Sequence, residues 1–177
     1  MSRGEIAARS HARELALQAV YQWLLHAADA ERPAPASLVE LPAREQLWAL
    51  KELATTPDDD ENATKKRKRA HLTVDADFFT ALLQGTVGEA AELRALFAPL
   101  ITRAVEELSP VEHAVLLLGA FELRHGVETP YRVVINEAIE LAKKYGGTDG
   151  HKFVNGVLDR LAASLRPQEV ATARAKK

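Results

Sequence analysis

Two groups of basic residues hold most of the chemistry this sequence can offer. Arg9, His11 and Arg13 lie near the start of the chain, and Lys143, Lys144, His151 and Lys152 flank a glycine-rich stretch at residues 146–150. Guanidinium, ammonium and imidazole groups suit phosphate oxygens, and a helix that begins just after the glycines adds free backbone N–H groups. Tyr21 and Tyr145 offer aromatic faces on which an unpaired base can stack. Taken alone, such clusters are more often an ordinary solvated face.

Catalysis is the rival chemistry. Glu137 and Glu140 are three residues apart on one helix side, and His125 and His151 lie in the same half of the chain. Paired carboxylates can move protons or hold metals. A di-metal bundle, however, repeats a Glu-x-x-His spacing on facing helices, and Glu122 to His125 is the one such spacing in the sequence. Glu140 also stands four residues before Lys144, the favourable order for a surface ion pair. No phosphate-binding loop, dinucleotide fingerprint or nucleophile elbow is present. With no cysteine, thiolate catalysis and cysteine-ligated zinc are excluded. The expectation is a binding protein with no enzyme activity, no cofactor and no metal.

These residues must be positioned by helices. Ala12, Leu15, Ala16, Ala19, Val20, Trp23 and Leu24 recur at helical spacing and predict a helix over residues 10–27. Beside that face run Arg9, Arg13, Leu17 and Tyr21, a line that begins basic, ends aromatic and reads as a binding edge. Phe78, Leu82 and Leu83 predict a helix ending near Gly85 or Gly88, and Pro99 should break the helix after it. Ser109, Pro110 and Glu112 form a strong helix start, with a serine cap, proline in first place and glutamate three residues on. Thr129-Pro130 reads as a second such start, for a helix that stops at Gly146-Gly147. Thr148 or Asp149 should cap the last long helix, inside which Gly156 suggests close packing against a neighbour. Asn136 and Glu137 border a strongly apolar face. They read as hydrogen-bonding a loop or helix end, with ligand contact the alternative. The segment after Pro167 should fray.

No strand-type pattern interrupts this series, so the class is all-α, two small helical bundles sharing a core. The 177 residues form one domain, with an N-terminal helical subdomain at about 9–103, a C-terminal one at about 104–165 and a flexible tail at 166–177. Residues 31–71 read as a partly disordered insertion. It holds Pro33, Pro35 and Pro42, an acidic run at 58–61 and the basic run KKRKR at 65–69, whose partner by charge is that acidic run. The formal net charge of -2 means that any nucleic-acid binding must come from a local patch. The longest apolar run is too short to span a bilayer, and charges interrupt the N-terminus, so a cytoplasmic protein without a secretory signal is expected.

Three segments resemble the NusB family of bacterial transcription antitermination factors. They are ARELALQAVYQWLL, VDADFFTALLQGTV and a long stretch from Leu108 to Arg160 that includes SPVEHAVLLLGAFEL and PYRVVINEAIELAKKYGGTDGHKFVNGVLD. The resemblance implies an all-helical fold of two three-helix bundles and a non-enzymatic adaptor. It implies pairing with NusE, a small-subunit ribosomal protein, on the single-stranded boxA element of ribosomal RNA leaders, within an antitermination complex on RNA polymerase. The family's RNA side maps onto Arg9, His11, Arg13, Asp149, His151 and Lys152, beside which Lys144 stands in the basic set. The NusE side maps onto Tyr21, Glu106 and Glu112. The chain departs from the family at Ser10 and His11, where arginines are common, and in its longer insertion. The alternatives are a structural homodimer and a stand-alone RNA-binding module like that of ribosomal RNA methyltransferases.

Overall fold

The computed structural model describes residues 1–28 and 74–175. The insertion at 31–71, with its basic and acidic runs, lies outside the described residues. Every regular element among those described is helical: α1 (Arg3–Ala28), α2 (Ala76–Gly88), α3 (Ala90–Phe97), α4 (Pro110–His125), α5 (Tyr131–Tyr145), α6 (Gly150–Leu165) and α7 (Pro167–Ala175), with 3-10 turns at Ala98–Leu100 and Val105–Glu107. The all-α class is what the periodicities predict.

The chain divides into two compact units, Met1–Gln84 and Gly85–Lys177. In the first, α1 begins earlier than its apolar pattern suggests. Ser2 and Glu5 form a reciprocal cap: the Glu5 N–H donates to the Ser2 hydroxyl at 3.2 Å, and the Ser2 N–H donates to the Glu5 carboxylate at 2.6 Å. That backbone bond also holds the Glu5 carboxyl below the usual carboxylate range. Asp75 caps α2 by accepting from the Phe78 N–H at 3.0 Å.

In the second unit α4, α5 and α6 each pack on the other two, forming a three-helix bundle, and α3 packs on α4. Residues 85–103 belong to this unit rather than to an N-terminal subdomain, because Leu93 and Phe97 are buried on the α3 face that meets α4. Pro99 does end α3, in a 3-10 turn. The glycine that lets helices approach closely is Gly119, not Gly156. A Cβ at Gly119 would lie 2.8 Å from the Leu158 side chain, whereas one at Gly156 meets open space. Gly146 ends α5 for a similar steric reason, since a Cβ there would sit 2.6 Å from the Ala142 carbonyl.

The segment after Pro167 is helical, contrary to the frayed tail expected from its position. Val170 buries one side of α7. Arg166, just before it, donates to the backbone carbonyls of Glu122, Leu123, Gly126 and Thr129 at 2.5–2.9 Å, and to the Glu169 carboxylate at 3.4 Å. The last carbonyls of a helix have no partner within it, and here a distant arginine reaches two of those of α4, Glu122 and Leu123, and two more in the turn that follows. Glu169 in turn accepts from the Tyr131 N–H at 2.9 Å. The start of α5 is therefore served from α7, and Thr129 is not its cap.

Candidate nucleic-acid interface

Arg9, His11, Arg13 and Tyr21 all lie on α1. Arg9 Nε donates to Asp75 Oδ2 at 3.2 Å, and its guanidinium stands 5.0 Å from the centre of the Phe78 ring. Arg13 stands over the same ring at 4.8 Å. The two arginines thus share one aromatic, and Asp75 holds the first of them while capping α2. Arg13 is only 4% exposed, so it is not a surface ligand. Leu17, the next residue of the expected edge, is buried too, which leaves Arg9 and Tyr21 half-buried at its two ends. The edge read from four-residue spacing is therefore mostly interior. Four-residue spacing says which residues share a stripe, not how wide the buried stripe is. His11 is half-buried.

Lys143, Lys144, Asp149, His151 and Lys152 gather around the turn between α5 and α6 in the second unit. Lys143 pairs with Glu140 at 2.8 Å, and Lys144 Nζ stands 5.0 Å from the centre of the exposed Tyr145 ring. Asp149 occupies the cap position of α6, yet its side chain makes no capping bond. It reaches out instead to Lys152 Nζ at 2.8 Å, with both side chains more than 70% exposed. Such an exposed pair contributes at most about 1 kcal/mol. The start of α6 therefore presents an ammonium group and a carboxylate to solvent, with His151 half-buried between them in sequence.

Glu106 is exposed on the second 3-10 turn. Glu112 is not the open surface group expected at a helix start. Its carboxylate accepts from the Ser109 N–H at 3.1 Å, the Ser109 hydroxyl at 2.8 Å and Arg103 Nη2 at 2.9 Å, and 13% of its side chain is exposed. Proximity to its own capping serine and to Arg103 pulls it inward. Beside it, His113 accepts from Arg94 Nε at 3.0 Å and meets the edge of Phe97. Burial, then the Arg94 charge, pushes the His113 pKa down to about 4 against a weaker opposing pull from Glu106. Burial also lowers the pKa of Arg94.

The family model described as the NusB family matches residues 10–163. The chain belongs to the NusB family. A NusB relative from Azoarcus sp. (strain BH72), a transcription antitermination protein, is 52% identical over 170 residues, covering 96% of this chain and 92% of the relative. The one from Bordetella pertussis is 47% identical over 166 residues, covering 94% of this chain and 92% of its own length. The NusB family is one of transcription antitermination factors, not of enzymes. Among solved structures, T. maritima NusB is similar with a TM-score of 0.60 at 26% identity, over 92% of this chain and 96% of that one. A structure of the antitermination factors NusB and NusE with double-stranded RNA is similar in fold, with a TM-score of 0.61 at 21% identity, over 93% and 99%. Among the described residues of this NusB-family chain, no helix is long and apolar enough to cross a membrane.

Sequence reasoning missed Asp75, Phe78 and Arg103 at these sites. Asp75 was legible as a helix cap one residue before α2. Phe78 and Arg103 carried no signal, because their roles depend on partners brought together by folding.

Proposed function

We propose that this chain is an RNA-binding adaptor of transcription antitermination that acts by assembly. The α5–α6 turn, with Lys144, Asp149, His151 and Lys152, contacts single-stranded boxA RNA of ribosomal RNA leaders. Arg9 and His11 add a second contact, with Arg13 supporting Arg9 from beneath through the shared Phe78 ring. Tyr21 and Glu106 meet the ribosomal protein NusE, and Glu112 serves that side through its internal bonds rather than by open contact. The complex then joins RNA polymerase in the cytoplasm. The observation that carries this reading is the start of α6. The side chain of its cap residue makes no capping bond and turns outward beside a lysine, in a chain 52% identical to a transcription antitermination protein.

A gel shift with boxA-type RNA, scrambled RNA and a duplex of the same sequence, each with and without NusE, tests it. The expected result is retardation of single-stranded boxA, strengthened by NusE. Equal binding of all three RNAs would contradict the assignment. For the partner side, Tyr21→Asp and Glu106→Lys should each weaken NusE binding in calorimetry while leaving the helical circular dichroism unchanged. Normal NusE binding by both would place the interface elsewhere.

A further inference from the structure

Resting on that reading, we infer that Arg103 and Glu112 are positioning residues for the RNA-binding turn, acting through the inner face of the first turn of α6. Gly150 and Phe153, three residues apart, lie on one side of this helix. Beneath Gly150 is Glu112: the position of a Cβ there is 3.5 Å from Glu112 Oε1 and 3.7 Å from its Cγ. Beneath Phe153 is Arg103, whose guanidinium lies 4.5 Å from the ring centre. Arg103 and Glu112 are joined to each other at 2.9 Å, and Ser109 fixes the carboxylate through two further bonds. The inner side of this helical turn thus rests on a hydrogen-bonded ion pair, and the outer side carries Lys152 and Asp149.

This arrangement has a reason in the local chemistry. The start of α6 has no side-chain cap of its own to set its direction. An uncapped helix end frays readily, and a phosphate contact at such an end requires its N–H groups to stay in place. Phe153 packed on Arg103, with the Glu112 side chain facing Gly150, supplies the order that the cap does not. Glu112 belongs to the α4 start and Arg103 to the loop before it, so a change at either is felt at the α5–α6 turn without touching RNA.

The test uses the full chain alone, without NusE, and a short single-stranded boxA RNA labelled for fluorescence anisotropy. Glu112→Gln keeps a residue able to complete the capping box but removes the ion pair. Arg103→Met removes the other member. Each should weaken RNA binding about fivefold and speed amide hydrogen exchange at residues 150–153, with the melting temperature recorded alongside. Each should also be non-additive with Lys152→Ala, since all act on one turn. Unchanged affinity in both variants overturns the inference, as does a loss strictly additive with Lys152→Ala. Should the wild-type chain fail to bind the RNA, the function reading falls. The exchange rates at 150–153 then decide the inference, faster exchange supporting it and unchanged exchange overturning it.

Discussion

The starts of α4 and α6 carry similar sequence signals and reach opposite states. At α4 the Ser109 hydroxyl accepts from the Glu112 N–H, and Glu112 bonds back to Ser109 and on to Arg103. At α6 the cap residue Asp149 accepts from the Lys152 and Phe153 N–H groups through its backbone carbonyl, but its side chain makes no capping bond and turns to the Lys152 ammonium in solvent. The first end is closed by its own side chains, so what it contributes directly is stability, and its reach to α6 is through Arg103 and Glu112. The second leaves its charges outward, and in the function proposed above it contributes recognition. Polar groups near a helix end serve one purpose or the other according to where their hydrogen bonds go, not according to their type.

Changes at a closed end should show first in stability, with those at Arg103 and Glu112 felt at the α5–α6 turn as well, and changes at the open end should show in RNA affinity. The largest effect is expected at the other end of α4. Arg166→Ala removes the guanidinium that serves the Leu123 and Thr129 carbonyls, while those of Glu122 and Gly126 keep backbone donors, and should cost about 3 kcal/mol in urea denaturation. The RNA affinity of the molecules still folded should be unchanged. Next comes the α4–α6 contact. Gly119→Ala sets a methyl group 2.8 Å from the buried Leu158 side chain and should cost about 1–3 kcal/mol by thermal melting.

A direct contrast of the two starts follows. Ser109→Ala should lose about 1 kcal/mol. Asp149→Ala should stay within about 0.5 kcal/mol of wild type, since no cap bond is lost. Equal losses in paired melts would erase the distinction. A further effect, of similar size to the loss of the Ser109 cap, concerns pH. His113 has a folded pKa of about 4, below its ordinary value of 6.5, so the unfolded chain binds its proton first as pH falls. Its contribution to stability is intact above pH 6.5, declines between 6.5 and 4, and is fully lost below 4. Screening at this half-buried ring keeps the loss near 1 kcal/mol. A stability profile of His113→Gln against wild type should lack this part of the decline.

Local features of the fold were legible before the structure. The Ser109 cap, the break at Pro99 and the end of α5 at Gly146 depend on neighbours in sequence, and all three hold. What escaped depends on residues far apart. Arg166 reaches carbonyls some forty positions earlier, and no periodicity encodes which helix end a lone arginine will serve. Gly119 sits inside an apolar run where nothing marks it, whereas Gly156 stands out in sequence and meets only open space. The geometry of the candidate site was half legible for the same reason. Residue type brought out the basic turn, but the burial of Arg13 and the internal bonding of Glu112 follow from packing.

Whether the open start of α6 meets phosphate is decided by the salt dependence of RNA affinity. Wild type, Lys152→Ala and Asp149→Asn would be titrated with boxA-type RNA across a salt series. Lys152→Ala should bind more weakly, with a salt slope shallower by about 0.7, the loss of one neutralised phosphate on a single strand. Asp149→Asn removes a charge that repels phosphate and frees Lys152, so it should bind at least as tightly as wild type with unchanged melting. A clear loss of affinity in Asp149→Asn, or a Lys152→Ala slope identical to wild type, would contradict the account.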